Sequence, residues 1–154
     1  MNPREIVDHI RSGPVKLMLD KKLRFRRRTR SNPCDFNEFL QALQSSKTIR
    51  DVSCLSHRRL GISKDEWVLL VNTLGSIKDI QNLVIGCKSS SREFHPFQAV
   101  ADAVKNAQSL WKLGFVLEGD TGPGTSSGLT ALASALRKHT ALQEFGLVTW
   151  CRLQ

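Results

Sequence analysis

The chain has 154 residues, enough for one domain or a short repeat array. At this size a folded chain buries roughly 70% of its unfolded surface, without needing disulfides or a metal. The composition, 40% hydrophobic and 24% charged, is that of an ordinary folded protein, and the lack of tyrosine with only 6% aromatics weighs against an aromatic-rich binding surface.

The formal net charge is +9, and it is local. Lys21, Lys22, Arg24, Arg26, Arg27, Arg28 and Arg30 put +7 into the ten residues 21–30, which contain no acidic residue, leaving +2 for the other 144. Residues 1–15 carry Arg4, Glu5, Asp8, His9 and Arg11 without a continuous apolar core, which argues against a secretory leader. The longest apolar run, Trp67 to Val71, is five residues, against about 20 for a membrane span. The expectation is an intracellular protein, cytoplasmic or nuclear. The cysteines at 34, 54, 87 and 151 fit neither a zinc ribbon nor a redox pair, and are read as free thiols used as small apolar side chains. The histidines at 9, 57, 95 and 139 are equally scattered. No metal and no cofactor is expected.

In chain order, Ile6, Val7 and Ile10 suit a short helix, Gly13-Pro14 ends it, and Val15, Leu17 and Leu19 alternate as a strand. The basic stretch 21–30 then reads as a loop leading to Asn32-Pro33. Residues 1–35 thus form a divergent first unit of a single domain spanning 1–154. Beyond it one pattern recurs four times, in FLQALQSSKTIRDVSC from Phe39, LVNTLGSIKDIQNLVIG from Leu70, VADAVKNAQSLWKLGFV from Val100 and LASALRKHTALQEFGLV from Leu132. An apolar residue is followed six positions later by another, then by apolar residues three and five further on. The sets are Leu43, Ile49, Val52, Cys54; Leu74, Ile80, Leu83, Ile85; Val104, Leu110, Leu113, Phe115; and Leu136, Leu142, Phe145, Leu147. The units lie 31, 30 and 32 residues apart.

The first half of each unit repeats at three and four residues, as in Trp67, Leu70, Val71 and Leu74, which predicts an amphipathic helix with Trp67 in the core. The second half alternates, as in Leu83-Val84-Ile85, which predicts a short strand. Ser63 with Glu66 forms a capping box, and Pro33 and Pro96 stand where a first helical turn accepts proline. A helix crossing back to the next strand makes the strands parallel, and stacked units bury one another's apolar stripes.

This apolar-x-x-apolar-x-apolar string after a helix resembles the leucine-rich repeats of the ribonuclease-inhibitor subfamily, over roughly residues 36–149 and more loosely 6–30. The resemblance implies an α/β solenoid of four to five repeats, a partial horseshoe with a parallel sheet on the concave side and helices on the convex side. It also implies a protein-binding role without catalysis. The family places asparagine or cysteine three positions after the last strand apolar; here those positions hold His57, Lys88, Glu118 and Trp150. The loops must satisfy their backbone groups by other means.

In such a horseshoe the side chains between strand apolars face the concave side. They are Asp51, Ser53, Asn82, Val84, Lys112, Gly114, Glu144 and Gly146, with Trp111 at a strand entry as the sharpest candidate anchor. Their alternative is a plain solvent face. For the basic residues Lys21 to Arg30 three readings stand: a solvated loop, a patch for nucleic acid or another polyanion, or a nuclear-import signal. Phe25, the lone aromatic in that run, offers little for base stacking. Gly119 to Ser126 nearly matches a phosphate-binding loop, but Thr125 replaces its lysine and Asp120 adds repulsion, so a connector is the better account. No nucleophile–base arrangement stands out, and an enzyme is not expected. The last strand ends the array bare, which calls for further repeats or a partner over it.

Overall fold

A computed structural model describes residues 2–19, 23, 25, 33–89, 96–119 and 125–150. The elements, in order, are α1 (Pro3–Arg11), β1 (Lys16–Leu19), α2 (Pro33–Ser45), β2 (Asp51–Cys54), α3 (His57–Leu60), α4 (Lys64–Ser76), β3 (Asn82–Ser89), α5 (Pro96–Asn106), β4 (Lys112–Gly119), α6 (Thr125–Lys138) and β5 (Glu144–Trp150). The strands form one all-parallel sheet in sequential order β1-β2-β3-β4-β5.

The register follows the repeat. Leu17, Val52, Leu83, Leu113 and Phe145 lie side by side, as do Leu19, Cys54, Ile85, Phe115 and Leu147. Those rows point at the helices, which form a second layer on one face of the sheet. The core between the layers holds Phe39, Trp67, Phe97 and Phe115, with the Phe97 and Phe115 rings edge to face at 5.3 Å. Each such fully buried side chain contributes about 1.5–3 kcal/mol.

The predicted starts hold. Ser63 Oγ accepts from the Glu66 N–H at 3.1 Å while the Glu66 carboxylate accepts from the Ser63 N–H at 2.9 Å, and α2 and α5 begin at Pro33 and Pro96. A second capping box, Asn2 with Glu5, starts α1. Leaving each helix, the residue that leads into the strand finds a fixed acceptor. Ile49 donates to Ser46 Oγ, Ile80 to the Ile77 carbonyl, Leu110 to the Ala107 carbonyl and Leu142 to His139 Nδ1. One acceptor three residues back sets the same turn in all four units, whatever atom provides it.

The structure departs from the sequence reading in four places. Val15 stands before β1 and is exposed, so the strand alternation begins one residue later, at Lys16. β3 and β4 are eight residues long, because alternation continues through the buried Cys87 and Leu117. Lys88 and Glu118 therefore pair in register within the sheet, where continued ladder bonds satisfy the backbone. A single turn, α3, is inserted between β2 and α4, ending at Gly61 with φ 70°. Finally, the fourth apolar set is not sealed: Leu136 and Leu142 are partly buried, while Phe145 and Leu147 are 42% and 41% exposed.

Candidate functional site

On the face of the sheet away from the helices, side chains line up in rows set by the parallel register. One row reads Lys16, Asp51, Asn82, Lys112, Glu144, and the next Met18, Ser53, Val84, Gly114, Gly146. All the sequence-predicted concave-side residues are thus brought together on one surface. Lys112, Glu144 and Val84 are exposed, whereas Asp51, Ser53 and Asn82 are half-buried. Lys112 Nζ lies 3.6 Å from the Glu144 carboxylate on the adjacent strand. Asn82 Oδ1 is buried without a hydrogen-bond partner, a costly state that a donor arriving at this face would relieve.

Trp111 sits just before β4 and is 36% exposed. Its backbone is clamped between units. Its N–H donates to the Gln81 carbonyl at 2.9 Å, and its own carbonyl accepts from both the Gln143 and Glu144 N–H groups at 2.8 and 3.0 Å. The same forked bond recurs at the carbonyls of Val15, Arg50 and Gln81, each taking two successive N–H groups of the next unit. An exposed indole on a backbone held this firmly loses little freedom when it packs against a partner.

The structure adds a feature that the repeat did not announce. After β2 the chain climbs over the open face instead of turning directly toward the helix layer. A Cβ on Gly86 would sit in ordinary contact, 3.4 Å from the Cys54 carbonyl oxygen and 3.6 Å from the Ser56 nitrogen, so the backbone of residues 54–56 passes directly over this strand position. This crossing walls off a cleft of about 140 Å³ lined by Ser53, Leu55, Ser56, Val84, Gly86 and Val116. Arg59 of α3 spans it to Glu118 of β4 at 4.0 Å. In the sequence, a lone glycine inside an alternating strand is the signal for this crossing, and Glu118 is marked only by its departure from the repeat pattern.

Beneath the cleft, Cys54 and Cys87 are buried free thiols. Burial pushes the Cys54 thiol up to about 12, and burial with the neighbouring Cys54 raises Cys87 as well. Both are held protonated and act as apolar packing, not as nucleophiles.

Of the basic segment, Lys21, Lys22, Arg24, Arg26, Arg27, Arg28 and Arg30 lie outside the described residues. Two of the residues interleaved with them are described. Leu23 and Phe25 are buried, and the Phe25 ring packs on Phe36 at 5.4 Å and Phe39 at 4.9 Å, so it serves the core and not base stacking. The glycine-rich residues 120–124 also lie outside the described residues.

Among the described residues no group of three or more histidine, cysteine, aspartate or glutamate side chains could hold a metal, and no helix is long and apolar enough to cross a membrane. Comparison with protein-family models, with curated proteins and with solved structures returned no match.

Proposed function

We propose that this chain is a leucine-rich-repeat scaffold of the ribonuclease-inhibitor type, without catalytic activity, that binds another protein through the open face of its sheet. The observation that carries the reading is the row of in-register side chains on that face, with Trp111 presented on a clamped backbone beside it. Support for the repeat type comes from the unit length, the apolar spacing and the sequential strand order. The cleft between Arg59 and Glu118 accepts a single partner side chain next to the broader contact.

The test is affinity purification with the full chain and with Trp111→Ala and Val84→Glu variants. A partner retained by the wild type and lost by both variants, with unchanged circular dichroism, supports the open face. Equal capture by all three chains removes it.

A second role is favoured by a separate observation, the +7 charge of residues 21–30 together with the anchoring of Leu23 and Phe25 in the core. We propose that these cations attract a polyanion such as nucleic acid, by releasing counterions from its phosphates.

A further inference from the structure

Outside residues 21–30 the chain carries a net charge of only +2, yet the fold sorts that charge by edge. Because the strands are parallel, every helix-to-strand connection lies along one edge of the array: residues 9–16, 45–51, 76–82, 105–112 and 137–144. All of these residues are described, and together they hold nine cations and three anions, a net charge of +6. Everything else outside 21–30 sums to −4. Three of the nine cations are ion-paired: Arg11 with Glu38, Arg50 with Asp79 and Lys112 with Glu144. Lys16, Lys47, Lys78, Lys105, Arg137 and Lys138 are exposed and, among the described residues, have no carboxylate within 4.0 Å. Helix dipoles account for Lys105, Arg137 and Lys138, which stand in last helical turns. They leave Lys16, Lys47 and Lys78 unexplained, because these lie outside the helices and outside any ion pair.

Trp111 stands on this same edge, at the entry to β4, with the exposed Gln81 and Gln143 on the strands either side. Resting on the open-face reading, we propose that the protein bound there is acidic. Its contact is an extended segment rich in aspartate and glutamate that crosses the helix-to-strand edge. The carboxylates meet the lysines of successive units, and an apolar side chain of the segment packs on the Trp111 indole. Five strands about 4.8 Å apart make the edge roughly 20 Å long, the reach of about six extended residues.

Three features favour an acidic polypeptide over a phosphate backbone. Trp111 is the lone aromatic in these connections, and one indole cannot stack successive bases. Asp51, Asp79 and Glu144 sit among the cations, so a strand with an anion at every step would meet repulsion. A polypeptide can place carboxylates opposite the cations and neutral residues opposite the acids. Finally, Asn82 Oδ1, beside Lys112 in the adjoining row, is buried without a hydrogen-bond partner and needs a donor. A phosphodiester carries no donor, whereas nearly every residue of a peptide brings an N–H.

The probe is a short fluorescent peptide of aspartate and glutamate around a central leucine, compared with its asparagine and glutamine counterpart. Anisotropy is read on the full chain with the seven cations of 21–30 changed to glutamine, so that the basic segment takes no part. The acidic peptide should bind, lose affinity as salt rises, and exceed its neutral counterpart by about tenfold or more. Lys78→Glu together with Lys105→Glu should weaken it by a similar factor, and Trp111→Ala should weaken it too. Arg4→Glu, away from this edge, should not. If the glutamine background misfolds, the same substitutions in the wild-type chain should give the same order of affinities. Equal binding of the two peptides, indifference to the double glutamate change, or oligothymidylate bound as tightly as the acidic peptide would overturn the proposal. A natural partner lost with Trp111→Ala but kept by the double glutamate variant would overturn it as well, while leaving the open-face reading in place.

Discussion

His139 and Ala107, 32 residues apart and one repeat removed from each other, are joined by a 2.7 Å hydrogen bond from the His139 ring to the Ala107 carbonyl. The other ring nitrogen, Nδ1, accepts from the N–H groups of Ala141 and Leu142 at 3.3 and 3.0 Å. Since Nδ1 is an acceptor, the hydrogen sits on Nε2 and is donated to Ala107. One side chain thus shapes the turn into β5 and ties it to the preceding unit. His139→Ala should lower the stability by about 1–3 kcal/mol, since the Ala141 and Leu142 N–H groups lose their acceptor and the Ala107 carbonyl keeps only its bond from the Leu110 N–H. Urea denaturation of the two proteins measures the difference; an unchanged midpoint would count against the bridge.

Two glycines should respond in opposite ways. A Cβ on Gly75 of α4 would lie 2.7 Å from the Ala103 Cα and 2.7 Å from its carbonyl oxygen on α5, a collision with backbone that only a shift of the helices can relieve. Gly75→Ala should therefore cost about 1–3 kcal/mol. At Gly114 the nearest atom is a methyl of the exposed Val84 at 3.4 Å, so Gly114→Ala should be close to neutral. Thermal melts followed by circular dichroism separate the two.

Alkaline stability should carry the signature of the buried thiols. In the unfolded chain Cys54 loses its proton near its ordinary value of 9.0, whereas burial holds the folded thiol protonated to about 12. Below pH 9 both states keep the proton and stability is unaffected. Between about 9 and 12 only the unfolded state releases it, so stability falls as pH rises, by up to about tenfold in the folding constant per pH unit. Cys54→Ala should flatten this slope when unfolding is measured at pH 8 to 10.5. The same burial predicts that Cys54 and Cys87 react with a maleimide only after denaturation.

For the basic segment, replacement of all seven cations by glutamine should eliminate binding to single- or double-stranded nucleic acid. The wild-type affinity should fall with salt at a log–log slope no steeper than roughly −6, the limit for seven neutralised phosphates on a duplex. Binding that ignores salt would dismiss the polyanion role.

Much of the architecture was legible in the chain itself. The spacing that links Leu74, Ile80, Leu83 and Ile85 belongs to a helix feeding a strand, and a repeat near 31 residues brings those strands side by side because each unit's apolar stripe needs a neighbour. Capping at Ser63 and Pro96 was readable for the same reason: it depends on residues a turn apart. The shared face of Asp51, Ser53, Asn82, Val84, Lys112 and Glu144 followed directly from strand alternation.

What tertiary structure alone decided involves groups with no fixed separation along the chain. The cleft exists because the segment after β2 crosses above Gly86 and because Arg59 reaches Glu118, 59 residues away. Val15 reads as a strand residue in its own neighbourhood, yet the forked bond from its carbonyl to Arg50 and Asp51 places it ahead of the ladder. Phe145 and Leu147 have the same pattern as Leu113 and Phe115, yet they are exposed where those are almost fully covered, a difference that strand periodicity does not carry. Periodicity states which face of an element is apolar; what stands against that face is a matter of three-dimensional neighbours.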